Sequence, residues 1–102
     1  MDFKTKEFES LGLFDAILKF NSSEEVERFF TDLCTPKEIQ DLKERWKVCQ
    51  LLYSGKFSYR KIREITGSST TTITRVARFL NEEPYQGYRR LLEKLNKEKE
   101  NV

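Results

Sequence analysis

The chain has 102 residues, which allows one domain with a modest hydrophobic core. Aromatic residues make up 13% of the chain, and we expect a second subunit to cover part of this aromatic surface. It has no histidine and only two cysteines, so it lacks the ligands of a zinc site and the base of Ser-His or Cys-His catalysis, and we expect no metal, no cofactor and no enzymatic activity. The net charge of +2 is unevenly distributed: residues 1–44 carry −5 (6 basic, 11 acidic) and residues 45–102 carry +7 (13 basic, 6 acidic). This asymmetry indicates either a basic surface that binds a polyphosphate or a charged face that is only solvated.

The N-terminus, MDFKTKEFES, carries acidic residues and has no apolar core of a signal peptide. No stretch of the chain approaches the roughly 20 apolar residues that span a bilayer. We therefore expect a cytoplasmic protein that does not enter the membrane. In that compartment Cys34 and Cys49, which have apolar neighbours, are expected to be buried, reduced thiols.

Helical spacing of apolar residues recurs along the chain, and strand alternation does not occur. A first helix is predicted before the break at Asn21-Ser22-Ser23, and a second is predicted to begin with a capping box formed by Ser22 and Glu25. Their apolar stripes are Phe8, Leu11, Phe14 and Leu18 in the first helix, and Val26, Phe29, Phe30 and Leu33 in the second.

The run Thr35-Pro36-Lys37-Glu38 predicts the start of a long third helix, because Thr caps, Pro suits the first helical position and Glu reaches back to the cap amide. This helix is predicted to end near Gly55. It is apolar on two sides, which indicates two packing partners. One side carries Ile39, Leu42, Trp46, Cys49 and Tyr53, and the other carries Val48, Leu51 and Leu52.

Residues 57–81 have the layout of a helix-turn-helix. Ser58 is expected to cap a short helix, and Thr66-Gly67-Ser68 is expected to form a tight turn with Gly67 at positive φ. Ser68 or Ser69 would then cap the next helix. The side chains expected to face inward are Tyr59, Ile62 and Ile65 in the first helix, and Ile73, Val76, Ala77 and Leu80 in the second.

That spacing turns small hydroxyls and guanidinium groups outward on the second helix, a combination that suits base edges and phosphates in the DNA major groove. Three consecutive β-branched threonines are otherwise an unusual choice for the start of a surface helix. Basic residues on the preceding helix and at its entry are expected to contact phosphates. The predicted DNA-contacting residues are Lys56, Arg60, Lys61, Arg63, Ser69, Thr70, Thr71, Thr74, Arg75 and Arg78.

A last helix is predicted after Pro84. Beyond it, the tail KLNKEKENV loses its apolar period and is expected to fray. The apolar stripe of this helix consists of Tyr88, Leu91, Leu92 and Leu95.

The stretch from Leu33 to Pro84 resembles the tryptophan repressor family, and most closely its members of the YerC/YecD type. The resemblance implies an all-α fold of about six helices in an intertwined homodimer, with the fourth and fifth helices reading DNA. We expect a single domain over residues 1–102, with the helix-turn-helix at about 57–81 and dimerisation mainly through residues 1–55 and 84–100. The matching elements are the Thr-Pro-x-Glu cap that begins at Thr35, Arg45 ten residues downstream, the Leu-Leu-x-x-Gly ending at Gly55 and the Thr-Ile-Thr-Arg run at 72–75.

The resemblance also maps Thr35, Arg45 and Arg75 onto positions that line the corepressor site of the tryptophan repressor. It places Val76 and Phe79 where the repressor has a glycine against the indole and a serine near the amino group. Side chains of this size would fill the space that a planar ring needs. We therefore expect a protein that does not respond to tryptophan and that binds DNA unaided or with another effector. Ordinary dimer-core packing explains Phe79 equally well.

The predicted function is that of a sequence-specific transcriptional regulator, expected to be a repressor, which binds double-stranded DNA as a homodimer. One alternative is a helical module whose basic face binds an acidic protein partner. Another is an enzyme that uses the Ser/Thr cluster 68–72 with Lys56 or Lys61 as a base, although helix capping and groove contacts explain that cluster better.

Overall fold

The computed structural model describes residues 10–100, and this part of the chain consists of helices and their connections, without strands. The chain divides into two units, Met1–Ile39 and Gln40–Val102. The helices found in the described range are too short or too polar to cross a membrane. They are α1 (Leu13–Ile17), α2 (Ser23–Leu33), α3 (Pro36–Ser54), α4 (Tyr59–Thr66), α5 (Thr70–Asn81) and α6 (Gly87–Glu100). The predicted all-α fold of six helices is confirmed.

The first helix is shorter than predicted. It begins after Gly12, whose backbone is extended, and Leu18 forms its C-cap. Leu11 therefore precedes the helix, and Phe8 lies outside the described residues. Phe14 and Leu18 are each 81% exposed. The prediction extended the helix across Gly12. Glycine is a poor helix former, so the helix begins only after it.

The second helix is capped by Ser22, as predicted. The hydroxyl oxygen of Ser22 accepts a hydrogen bond from the Glu25 N–H at 3.2 Å. The Glu25 carboxylate accepts from the N–H of Asn21 at 2.7 Å rather than from that of Ser22, so the capping box is displaced by one residue. The Phe29 ring lies 5.3 Å from that of Phe20 and 5.7 Å from that of Phe30. None of residues 10–39 is buried.

The third helix has the predicted signals at both ends. The Thr35 N–H donates to the Glu38 carboxylate at 2.8 Å, and the Glu38 N–H donates to the Thr35 hydroxyl at 3.1 Å. This reciprocal pair is the capping box expected from the sequence. The helix ends at Ser54, and Gly55 follows with a φ of +71°.

The hydrophobic core of the second unit is organised around α5, which packs against both α4 and α6. The aliphatic face predicted for α5 is confirmed, because each of its four inward residues is buried. Trp46 of α3 and Tyr88 of α6 are partly buried against this core. The buried residues of the cluster are Val48, Cys49, Ile62, Ile73, Val76, Leu80 and Leu92.

The predicted inward face of α4 is wrong for two of its three residues. Ile62 is fully buried, whereas Tyr59 is 46% exposed and Ile65 is 38% exposed. Positions three residues before and after Ile62 lie about 60° to either side of it on an α-helix. An eight-residue helix that meets the core along one line can bury only the central position completely.

The last helix continues to Glu100, so residues 94–100, which were expected to fray, are helical. Lysine, glutamate and leucine are good helix formers even where no apolar face is buried. Leu92 is buried, while Leu91 and Leu95 of the predicted stripe are 46% and 38% exposed.

The two cysteines are free thiols in different surroundings. Cys49 is buried, as predicted, whereas Cys34 is only half-buried. Burial raises the pKa of the Cys49 thiol to about 11, and the guanidinium of Arg89 acts in the opposite direction. Cys49 is therefore a protonated core side chain at neutral pH.

Candidate nucleic-acid interface

The predicted helix-turn-helix is formed by α4, α5 and the turn between them. Ser58 caps α4, because its hydroxyl oxygen accepts a hydrogen bond from the Lys61 N–H at 3.1 Å. Gly67 ends α4 in the left-handed conformation with a φ of +74°, and its N–H donates to the carbonyl of Arg63 at 2.8 Å. A side chain at this φ is disfavoured, which explains the glycine.

The turn itself is held by hydrogen bonds of Thr66 and Ser69. The Thr66 hydroxyl donates to the Ile62 carbonyl at 2.7 Å and accepts from the Ser68 N–H at 3.1 Å. Ser69 caps α5 by accepting from the Thr72 N–H at 3.1 Å. Ser68 is not the cap: it is 3% exposed, and its hydroxyl has no hydrogen-bond partner among residues 10–100. The sequence pattern alone allowed either Ser68 or Ser69 to be the cap of α5.

Five of the predicted DNA-contacting residues form one exposed face of α5. The opposite face of the helix is anchored by Ile73 and Leu80, which are 0% and 2% exposed. The outward side chains surround a surface groove of about 350 Å³. These residues are Thr70, Thr71, Thr74, Arg75 and Arg78. Hydroxyls and guanidinium groups thus lie side by side on a surface supported by the core.

The basic residues predicted on α4 and at its entry are also exposed, and two of them have an acidic neighbour that the sequence reasoning missed. The Arg60 Nε lies 3.8 Å from one oxygen of Glu64, and the Lys61 Nζ lies 3.6 Å from the other. These side chains are more than half exposed, so the ion pairs are weak and both cations can exchange Glu64 for another anion. Helical spacing of three and four residues was the signal available for these pairs.

Phe79 is a second feature that the sequence pattern did not assign to the DNA-contacting face. The Cζ atoms of Arg75 and Arg78 lie 4.4 Å and 5.1 Å from the centre of its ring. The ring of Tyr85 stacks on it with centroids 6.3 Å apart and planes 16° from parallel. A carboxylate oxygen of Glu83 lies 3.5 Å from the Nε of Arg78. The i, i+4 spacing of Arg75 and Phe79 could have indicated the first contact.

Comparison with known proteins places this arrangement in a family. The sequence matches the family model described as Trp repressor protein over residues 9–96. This chain belongs to the Trp repressor family. Over 69 residues it is 51% identical to the uncharacterised protein YerC of Bacillus subtilis (strain 168), a match that spans 68% of this chain and 65% of YerC. The Trp repressor family is a family of repressor-type regulators and not a family of enzymes.

Two solved structures of the same kind share the fold. A TrpR-like protein from Eubacterium eligens ATCC 27750 superposes with a TM-score of 0.77 at 41% identity, over 92% of this chain and 93% of that chain. A proposed Trp repressor from Staphylococcus aureus superposes with a TM-score of 0.75 at 40% identity, over 82% of each chain. The six-helix architecture is thus that of the Trp repressor family.

The positions that the family resemblance assigned to an effector site have distinct roles in this structure. Thr35 uses its hydroxyl to cap α3. Arg45 and Arg75 both act on Tyr88: burial raises the pKa of this phenol, Cys49 raises it further, and the two guanidinium groups lower it. Both guanidinium groups therefore influence the same phenol, which belongs to the second unit.

Val76 and Phe79, the two departures from the tryptophan repressor, border a surface groove of about 350 Å³. Val76 is 1% exposed and belongs to the core, so its side chain is fixed by packing. Phe79 carries the Arg75 guanidinium on its ring. The residues that line the groove are Arg75, Val76, Phe79, Tyr85, Gly87 and Tyr88.

Proposed function

We propose that this protein is a sequence-specific, DNA-binding transcriptional regulator of the repressor type. The observation that carries the proposal is the outward face of α5, where threonine hydroxyls and two arginines are exposed on the side opposite a buried aliphatic face. Threonine can donate to, or accept from, base edges, and arginine forms paired hydrogen bonds with guanine or phosphate. Membership of the Trp repressor family supports the same function.

The two helices divide the work of binding. Residues on α4 and at its entry are assigned to phosphate contacts, which set the register of the protein on the duplex, and residues of α5 are assigned to the groove. Since α5 is capped and anchored in the core, its face approaches DNA as a rigid surface. The phosphate set is Lys56, Arg60, Lys61 and Arg63. The groove set is Ser69, Thr70, Thr71, Thr74, Arg75 and Arg78, and Arg75 is also assigned to a phosphate at the edge of the groove.

The proposal includes a homodimer of a single domain that spans residues 1–102, with dimerisation mainly through residues 1–55 and 84–100. Support comes from the first unit, where no residue from 10 to 39 is buried while Phe14 and Leu18 are each 81% exposed. Apolar surface of this extent is typical of a face that a partner covers. A two-fold dimer would place its α5 helices in successive major grooves, about 34 Å apart. As a DNA-binding transcriptional regulator, the protein is assigned to the cytoplasm.

The test of DNA binding is selection of genomic fragments by the purified protein, followed by affinity measurements on the enriched site at several salt concentrations. We expect a palindromic consensus, and a logarithm of affinity that falls linearly with the logarithm of salt concentration. Arg75→Ala and Arg63→Ala should each reduce the affinity about tenfold and the salt slope by about 1. The control is Arg28→Ala, which removes an exposed arginine of α2 and should change neither quantity.

Unchanged affinity and slope in both Arg75→Ala and Arg63→Ala would contradict the assigned surface. Preferential capture of an acidic protein, with no enrichment of DNA, would instead favour the interaction-module alternative. Sedimentation of the protein alone tests the homodimer, which predicts twice the mass of the chain.

We further propose that the regulator does not respond to tryptophan. Val76 is locked into the core, and the ring of Phe79 borders the same surface groove, so side chains of this size stand where the indole of tryptophan would have to lie. Isothermal titration with L-tryptophan should show no binding heat. Micromolar affinity for L-tryptophan, or a DNA affinity that depends on it, would show that the proposal is wrong.

A further inference from the structure

Phe79 contacts both arginines of the α5 face. The ring centre lies 4.4 Å from the Cζ of Arg75 and 5.1 Å from the Cζ of Arg78, both within the roughly 6 Å over which a cation is attracted to an aromatic face. Phe79 is itself half-buried, and Tyr85 stacks on it in nearly parallel orientation. One ring, supported by a second, therefore holds two side chains that are exposed to solvent.

This contact differs chemically from an ion pair. A carboxylate uses the N–H groups of a guanidinium as hydrogen-bond donors, whereas an aromatic ring attracts the cation without requiring those donors. Arg75 and Arg78 can thus be held on Phe79 while their N–H groups still point to another acceptor. A carboxylate oxygen of Glu83 forms an ion pair with Arg78 at 3.5 Å from its Nε, and a phosphate or a base that approaches this Nε would have to displace it.

Holding an arginine in place before binding affects affinity through entropy. A long, exposed side chain loses rotamer freedom when it is immobilised on a ligand, and this loss opposes binding. If the ring has already restricted the side chain, a smaller part of that loss falls on the binding step.

We propose that Phe79 is a positioning residue of the DNA-binding surface, which holds the guanidinium groups of Arg75 and Arg78 ready for the nucleic acid. This inference rests on the proposed DNA-binding function. Phe79 acts through the two arginines and makes no base or phosphate contact of its own. Its effect on affinity must therefore disappear when both arginines are absent.

The first test compares Phe79→Leu, which keeps an apolar side chain but removes the ring, with Phe79→Tyr, which keeps the ring. We expect Phe79→Leu to weaken DNA binding about threefold to tenfold and Phe79→Tyr to remain within about twofold of the unmodified protein. Thermal denaturation of each variant shows whether it is folded at the temperature of the binding measurement.

The decisive step repeats Phe79→Leu in a protein that also carries Arg75→Ala and Arg78→Ala. A positioning role predicts no further loss of affinity in that background, because the groups through which Phe79 acts are missing. An equal loss in both backgrounds would show that Phe79 is only structural and would overturn the inference.

A second readout does not depend on DNA. In the free protein the Nε–H resonances of Arg75 and Arg78 should be displaced by the ring current of Phe79, and Phe79→Leu should remove that displacement while Phe79→Tyr retains it. Undisplaced resonances in the unmodified protein would overturn the inference. If the unmodified protein binds no DNA, the proposed function fails; if it binds DNA and Phe79→Leu binds equally well, only this inference fails.

Discussion

A carboxylate oxygen of Glu83 lies 3.5 Å from the Nε of Arg78, so an acidic residue just beyond the end of α5 competes for one of the guanidinium groups assigned to DNA. Arg78 is about half exposed, with 53% of its side chain accessible, and can reach either Glu83 or an incoming phosphate. In the proposed function this ion pair opposes DNA binding, because it must be broken before the Nε of Arg78 can contact a phosphate or a base.

Glu83→Gln should therefore tighten DNA binding, by about twofold to fivefold at low salt, because Arg78 no longer has to leave a charged partner. The advantage should shrink as salt screens the pair. Fluorescence anisotropy with a labelled operator measures both effects. Glu82→Gln is the matched control, since it removes the same charge from an exposed neighbouring residue; an equal gain in both variants would mean that only net charge matters.

Alanine substitutions at Ser68 and Ser69, two adjacent serines at the start of α5, should change the free energy of unfolding in opposite directions. Ser68 is 3% exposed with an unpartnered hydroxyl, so Ser68→Ala should raise the free energy of unfolding by about 1 kcal/mol and the melting temperature by about 4 °C. Ser69 caps the helix, and Ser69→Ala should lower the free energy of unfolding by about 1 kcal/mol. Calorimetry of the two variants checks the signs, and a destabilised Ser68→Ala would show that the hydroxyl has a partner.

Glycine is required at position 67 by the backbone conformation and not by a lack of space for a side chain. Its φ is +74°, and a Cβ atom built there meets nothing within 4 Å. Gly67→Ala should thus lower the free energy of unfolding by about 1 kcal/mol through backbone strain alone. Gly67→Asn should cost less, because asparagine tolerates this conformation better. Urea denaturation distinguishes the two, and equal losses would point to a steric cause.

The raised pKa of the Cys49 thiol predicts how the free energy of unfolding changes at alkaline pH. The folded thiol has its pKa raised from the ordinary 9.0 to about 11, so the protonated form is favoured by folding. That stabilisation is complete below pH 9.0 and is lost as the pH rises towards about 11, because the unfolded thiol ionises first. Urea denaturation at about pH 8 and about pH 10.5 should show the loss.

The control for this pH dependence is Cys49→Ala, which lacks the titrating group and should lose less stability over the same range. Tyr88, whose pKa is also raised, contributes in the same direction in both proteins. An equal loss in the variant would contradict the assignment to Cys49.

The sequence by itself determined where α2, α3 and α4 begin and which face of α5 points inward. Ser22, Thr35 and Ser58 cap their helices through hydrogen bonds to residues three positions away, so the information is local in the chain. The aliphatic residues of α5 recur with the helical period, and a continuous stripe of this kind has to be buried. The exposed position of its threonines and arginines follows from the same period.

Only the tertiary structure decided which apolar side chains of the neighbouring helix α4 are covered and which polar groups form hydrogen bonds. Tyr59 and Ile65 are exposed although they flank the buried Ile62, because burial depends on where the neighbouring helices lie. Ser68 and Ser69 are equivalent as capping residues in the sequence, and the path of the turn buries one of them and aligns the other with Thr72. Such contacts depend on packing and on side-chain rotamers, which no local pattern encodes.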